Sequence, residues 1–272
     1  MGKADLWHDG EPYERYVGRW SRLVAATFVD VLDSRPGLRW LDVGCGTGAL
    51  TDAVIERWSP ASIVGVDPSE GFLAAARARP RAEGADVRFV VGDAEHLPLP
   101  DGSVDAVVSG LVLNFAPDPA AAVAEFTRVA APGALIAAYV WDYAEEMQML
   151  RTFWDAAAAL DPDAAELDEG RRFPLCRPEP LRQLWSDAPE MDVATVRIKS
   201  IEIGMAFEDF DDLWEPFLGG QGPAPTYLQS LTDASRAAVR DRMREATSFG
   251  CRPDGSIMLR ARAWVVVGRR PG

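Results

Sequence analysis

The stretch Arg39-Trp40-Leu41-Asp42-Val43-Gly44-Cys45-Gly46-Thr47-Gly48 limits the folds open to this chain more than any other. Trp40 to Val43 is short, apolar and β-prone. Three alternate glycines follow, and then Ala49-Leu50-Thr51-Asp52-Ala53-Val54-Ile55, which has a helical pattern. The order is buried strand, tight turn, helix start. Glycines in such a turn accept positive φ and let the backbone approach a ligand, while free N–H groups at the helix N-terminus favour a polar or anionic group. A nucleotide-like ligand is therefore expected above the carboxyl end of the strand. Gly44, Gly46 and Ala49 satisfy G-x-G-x-x-G/A, and Asp67 lies 19 residues beyond Gly48, close to where a ribose-binding acid is expected.

A glycine turn alone fits several cofactors, so the next elements decide. Val87-Arg88-Phe89-Val90-Val91-Gly92-Asp93-Ala94 is a second apolar strand ending in an acid, and Glu95-His96-Leu97-Pro98-Leu99-Pro100-Asp101-Gly102-Ser103-Val104-Asp105 follows it. The segments LDVGCGTG, VGVDPSE, VGDAEHLPLPDGSVDAVVS and RVAAPGALIA resemble, in order and spacing, the class I S-adenosylmethionine-dependent methyltransferases. They are most similar to the branch that includes the ubiquinone and menaquinone biosynthesis enzymes. The resemblance runs from roughly Arg39 to Trp141 and concerns the cofactor half, so it carries no quinone substrate with it.

The alternation of strands and helices over residues 37–142 argues for a parallel sheet covered on both faces. The strands read as Arg39 to Val43, Ser62 to Val66, Val87 to Val91, Val104 to Ser109 and Ala134 to Trp141, the last entered through a turn at Pro132-Gly133. The helices between them read as Ala49 to Trp58, Glu70 to Ala78 and Pro119 to Ala130. Beyond Trp141, helices are expected over Glu145 to Leu160 and Glu179 to Trp185, an extended run over Val193 to Ile203, a helical and aromatic block over Ala206 to Thr247, and a last strand over Ile257 to Val267. The resemblance implies a Rossmann-like doubly wound α/β sheet, mostly parallel, with the last two strands as an antiparallel hairpin at its edge. Residues 1–36 would form an N-terminal helical cap, 37–142 the cofactor-binding core, and 143–272 the rest of the sheet with helical lid insertions at about 143–175 and 206–248, all in one domain.

Asp67 is the strongest single site candidate, because a carboxylate can accept hydrogen bonds from both hydroxyls of a ribose. The competing reading is a helix cap ahead of Pro68-Ser69-Glu70. Asp93 with Ala94 would hold adenine, the competing reading being a simple turn. Gly44 and Gly46 give close backbone access, and Asp42 orders the turn. Ser109, Gly110, Leu111 and Asn114 follow the fourth strand and should stand near the methionine portion, with Asn114 either facing the acceptor or purely structural. The N-terminal helix, read from Tyr13 to Leu32, either packs on the sheet or closes over the cofactor with Tyr16, Arg19 or Trp20 near its methionine end. There an aromatic face suits a sulfonium and an arginine suits a carboxylate. Tyr143 and Trp214 are further candidates for the acceptor side.

Methyl transfer from a sulfonium is a direct displacement with an activated leaving group, so holding acceptor and methyl in line without water can supply much of the rate. A base matters only if the acceptor proton is still present at attack. Of the two histidines, His96 reads as a solvent loop residue before Leu97-Pro98 and His8 could reach the site only if the N-terminal arm folds over it; Asp142 and Tyr143, beyond the fifth strand, are comparable guesses, so no catalytic base is assigned.

The formal charge of −14 opposes binding to nucleic acid, whose affinity depends on Lys and Arg displacing counterions. Arg236, Arg240, Arg242 and Arg244 are interleaved with Asp241 and Glu245 and read as a solvated helix face. The cysteines at 45, 176 and 251 have neither metal-ligand nor disulfide spacing, and no run approaches the roughly 20 apolar residues of a membrane helix. A cytoplasmic enzyme, monomer or homodimer, without metal and off the membrane, is expected. Its substrate would be a small, partly apolar or aromatic molecule. Three other readings remain: a nicotinamide-dependent oxidoreductase, a cofactor-binding protein without turnover, and an enzyme acting on a basic polypeptide.

Overall fold

A computed structural model describes residues 19–81, 86–219 and 222–272. In chain order the elements are α1 (Arg19–Asp30), β1 (Arg39–Val43), α2 (Ala49–Trp58), β2 (Ser62–Asp67), α3 (Glu70–Ala78), β3 (Val87–Val91), β4 (Val104–Gly110), α4 (Pro119–Val129), β5 (Ala130–Trp141), α5 (Gln148–Ala158), the single turn α6 (Glu169–Arg172), α7 (Pro178–Ser186), β6 (Arg197–Phe207), α8 (Phe210–Trp214), α9 (Pro223–Ser230), α10 (Asp233–Ala246) and β7 (Ile257–Arg269). Short 3-10 turns join several of them.

The seven strands form one sheet in the order β3-β2-β1-β4-β5-β7-β6. The five strands from β3 to β5 are parallel, and β7 runs antiparallel between β5 and β6. The fold is therefore the Rossmann-like doubly wound sheet with an antiparallel hairpin at one edge. The chain reverses direction across the sheet between β1 and β4, where open α/β sheets place their ligands.

Both faces of the sheet are apolar, as helices on both sides require. Along β5, Leu135, Ala137, Tyr139 and Trp141 enter the core shared with α1, α2 and α5. Their neighbours Ala134, Ile136, Ala138 and Val140 enter the core shared with α4 and α7. Phe28 of α1 packs on Tyr139 with ring centroids 4.6 Å apart, which fixes α1 over the first face.

Local chemistry places the helix starts. The Ser69 hydroxyl accepts the Phe72 N–H at the start of α3, and Asp118 accepts the Ala120 and Ala121 N–H groups before Pro119 opens α4. The helix expected from Glu145 begins only at Gln148, because the Asp142 carboxylate takes the Glu145 N–H and holds residues 142–147 as a turn. The extended run expected from Val193 begins at Arg197, since Asp192 caps a 3-10 turn at Val193–Thr195. The fifth strand starts earlier than Pro132-Gly133 suggests: Ala130 already pairs with Val104, and the register breaks over the following residues before Leu135 pairs with Ala106. Within the N-terminal helix expected from Tyr13, the described part is Arg19–Asp30; Tyr16 and His8 lie outside the described residues.

The 206–248 segment packs largely on α5 and α1. Phe153 of α5 stacks on Phe217 at 4.6 Å, and Arg19 of α1 makes a double contact with the Asp212 carboxylate of α8. Among the described residues, no helix is long and apolar enough to cross a membrane.

Candidate functional site

A cavity of about 540 Å³ opens at the carboxyl ends of β1 to β5. Its floor is the turn after β1. Gly44, Gly46 and Gly48 all have positive φ, at 69°, 53° and 89°. Each has a different reason to be glycine. A Cβ on Gly44 would lie 2.2 Å from Val112 Cγ2, whereas a Cβ on Gly46 would meet nothing within 4 Å and would project into free space beside the cavity. Gly48 precedes α2 without offering a side-chain cap, so the first N–H groups of that helix have no side-chain acceptor from the cap position.

Asp67, at the end of β2, accepts the Gly46 N–H on one carboxylate oxygen and the Ser69 N–H on the other, both at 2.9 Å. Burial pushes its carboxyl above the ordinary range, and the two backbone hydrogen bonds oppose that shift. Each oxygen keeps a further lone pair for a hydroxyl donor. The residue is thus both the local turn-former and an acid in the cavity wall. The helix cap that competes for its role is supplied instead by Ser69.

Asp93 and Ala94 line the cavity beyond β3, together with Glu95 and His96. The Asp93 carboxylate accepts the Glu95 N–H at 2.9 Å and lies 3.1 Å from His96 Nδ1. His96 is therefore a rim residue tied to Asp93, with a largely exposed ring. Leu111 lines the wall after β4 in the left-handed region, φ 64°, and donates its N–H to the Tyr139 carbonyl at 2.8 Å. A leucine in that conformation is strained by about 1–2 kcal/mol and persists only where its surroundings hold it. Tyr143 lines the opposite end, with Phe173 packed behind it and behind Phe115.

The remaining candidates stand elsewhere. Asp42 is buried under the turn and accepts the Thr51 hydroxyl at 2.6 Å; burial pushes its carboxyl up to about 7. Ser109 is fully buried and donates its hydroxyl to the Val43 carbonyl at 2.9 Å, tying β4 to β1 beneath the cavity. Asn114 is half-buried and outside the wall, with its Oδ1 unpartnered. Trp214 is packed between Phe210 and Phe217, away from the cavity. Arg19 points its guanidinium at Asp212 and stacks on Trp20 and Phe207.

Sequence reasoning passed over Ser21, Phe72, Val112, Phe115, Tyr139 and Trp141, all of which line the cavity. Tyr139, Trp141 and Tyr143 share the period-two spacing of one strand face, a signal present in the sequence. Ser21 had none, since its place depends on how α1 crosses the sheet. Among the described residues, no cluster of three metal-ligating side chains occurs.

Residues 41–138 match a family model described as a methyltransferase domain. A demethylmenaquinone methyltransferase of Thermus thermophilus is 39% identical over 115 residues, which is 42% of this chain and 50% of that protein. A cycloartenol-C-24-methyltransferase of Arabidopsis thaliana is 28% identical over 227 residues, 83% of this chain and 58% of that protein. The chain spans half or less of the length of several further curated relatives it matches. A solved structure described as a putative methyltransferase from Bacillus halodurans superimposes with a TM-score of 0.57 over 91% of this chain and 99% of that one, at 17% identity, a likeness of fold. Residues 41–138 thus resemble methyltransferase domains, a likeness that favours S-adenosylmethionine over a nicotinamide cofactor at the glycine turn.

Proposed function

We propose that this methyltransferase domain moves a methyl group from S-adenosylmethionine to a small, apolar or aromatic molecule by direct in-line displacement. The observation that supports the reading is that one cavity joins the Gly46–Asp67 unit at its centre to an aromatic wall of Phe115, Tyr139, Trp141 and Tyr143 at one end. The residues present suit the cofactor. Gly46 leaves free the space a side chain would fill, Asp67 has lone pairs for the two ribose hydroxyls, and Asp93 can take the adenine amino group while the Ala94 N–H meets a ring nitrogen. The backbone at Gly110 and Leu111 would hold the amino-acid end.

The cofactor supplies, when bound, a methyl on positively charged sulfur that needs no further activation. The chain's own contribution is to fix the acceptor against that methyl and to exclude water. Tyr143 and Trp141 would orient the acceptor from the β5 side. His96 belongs to the opposite side of the cavity, beyond β3, so no histidine is assigned as a base, and an acceptor that has already lost its proton, or never carried one, suits this site.

The test is titration calorimetry with S-adenosylmethionine, its demethylated product and NADH, followed by incubation of the protein with methyl-labelled cofactor and a fractionated metabolite extract. Micromolar binding of the first two and label on a low-mass metabolite are expected. Binding of NADH alone, or label found only on protein, would sink the reading.

A further inference from the structure

The sheet order β3-β2-β1-β4-β5 spreads the wall of the cavity along a line, since adjacent strands are about 4.8 Å apart and the span from β3 to β5 is roughly 19 Å. Charge is divided along that line. Asp93 and Glu95 stand beyond β3 and Asp67 at the end of β2. At the other end, from the β4–α4 loop and β5, the wall is Leu111, Val112, Phe115, Tyr139, Trp141 and Tyr143. No Lys or Arg among the described residues lines any part of the cavity. Arg19 is paired with Asp212, and Arg81, behind Gly48, is paired with Asp52.

Within the aromatic end, Trp141 lines the cavity, is almost fully buried, and carries an indole N–H without a hydrogen-bond partner. A buried donor left unpaired is costly, and Trp58, Trp154 and Trp185 all find acceptors for theirs. Trp20 and Trp40 share the unpaired state, but neither lines the cavity. Trp141 is the one whose ring stands in the cavity wall, where a small shift of the indole would bring its N–H to a ligand.

We infer that the aromatic end binds an acceptor without a fixed anionic group, held by one hydrogen-bond-accepting oxygen or nitrogen on the Trp141 indole N–H; the inference rests on the methyl-transfer reading above. A carboxylate or phosphate placed there would lose its hydration and meet no Lys or Arg of the described wall, with three carboxyl groups in the same cavity to offset the attraction of the sulfonium. A second cation would be repelled by the sulfonium in that confined space. An uncharged molecule with a flat apolar body buries its surface on the aromatic wall and completes the indole donor at the same time.

Matched probes separate these possibilities. Acetophenone and benzoate differ mainly in a methyl replaced by a charged oxygen, and 2-acetylnaphthalene and 2-naphthoate form a larger pair of the same kind. Each is titrated by ligand-observed NMR, up to millimolar concentration, against protein saturated with S-adenosylhomocysteine, and again with Trp141→Phe. The expected result is a ketone in at least one pair bound ten-fold or more tightly than its carboxylate. Trp141→Phe should weaken the ketone about three- to ten-fold, the worth of one hydrogen bond, with S-adenosylhomocysteine affinity unchanged. A carboxylate that binds as well as its ketone overturns the inference, as does saturation by neither member of either pair. Unchanged ketone affinity in Trp141→Phe overturns the role of the indole. If that variant does not fold, the wild-type pairs decide alone. Failure of S-adenosylhomocysteine itself to bind would remove the methyl-transfer reading and this inference with it, a result distinct from all the others.

Discussion

Gly46 donates its backbone N–H to the Asp67 carboxylate at 2.9 Å, so the glycine turn after β1 and the acid ending β2 form one unit across adjacent parallel strands. Asp67 thereby orders the turn and faces the cavity with the same carboxylate. Asp67→Ala should weaken S-adenosylhomocysteine binding by about 1.5–3 kcal/mol, ten- to 150-fold, through loss of hydrogen bonds to a charged group. Asp67→Asn, which keeps an acceptor, should lose less. Calorimetry on both variants checks the order; equal affinities in wild type and Asp67→Ala would refute it.

Two alanine substitutions in the turn should behave differently. Gly46→Ala sets a side chain in the left-handed region, at about 1–2 kcal/mol, but clashes with nothing in the protein. It should fold with a modest fall in Tm and lose at least ten-fold in cofactor affinity. Gly44→Ala drives its methyl into Val112 and should be the less stable of the two, with Val112→Ala restoring part of the loss. Thermal melts of the three proteins decide the matter.

Stability should fall as pH rises toward neutrality. Burial pushes both Asp42 and Glu169 up to about 7, the latter despite the hydrogen bond from the Trp154 indole. A carboxyl whose folded value lies above its unfolded value favours the folded state most when protonated. Its contribution is therefore whole below about pH 4 and declines until about pH 7, with at most about 3 kcal/mol from Glu169. Glu169→Gln keeps an acceptor for Trp154 and should flatten the decline, leaving the share of Asp42. Urea denaturation at pH 5 and pH 8 measures it; identical slopes in wild type and variant would contradict the assignment.

Arg262 on β7 holds the turn that carries Tyr143. Its guanidinium contacts the buried Asp142 carboxylate at 2.7 Å and Glu145 at 2.8 Å, and its backbone N–H bonds the Glu146 carbonyl. Arg262→Met should cost about 3–5 kcal/mol by leaving Asp142 buried and unpaired, while Glu145→Gln, at an exposed partner, should cost under about 1 kcal/mol. Adding Asp142→Asn to Arg262→Met should recover part of the loss. Chemical denaturation of the three variants gives the comparison.

Those long-range pairs mark the limit of what the sequence made legible. The strands β1 to β4, helices α2 to α4 and the line of Gly44, Gly46, Asp67, Asp93 and Leu111 follow from local periodicity, turn chemistry and motif spacing, which act over a few residues. Arg19 with Asp212 and Asp142 with Arg262 are joined only by the tertiary fold, across 193 and 120 positions. Arg19 looked available for a carboxylate because nothing near it in the chain competes. Trp214 looked like an acceptor contact for the same reason, and tertiary packing gave its ring to Phe210 and Phe217. Trp141 went unnoticed because the strand pattern that buries it looks the same whether its ring meets protein or ligand.

The position of β7 between β5 and β6 also sets an order of events during synthesis. When β6 leaves the ribosome, the sheet has no place for it: its partner is β7, and the whole 208–256 segment must be translated first. For the seconds this takes, β5 presents an unpaired backbone edge and β6 is an unpaired strand, both open to pairing with another chain. Arg197, Lys199 and Glu202 keep β6 charged through that interval, whereas β5 carries no charged side chain. Of the two, β6 is guarded by charge, while the apolar edge of β5 stays open until β7 pairs with both.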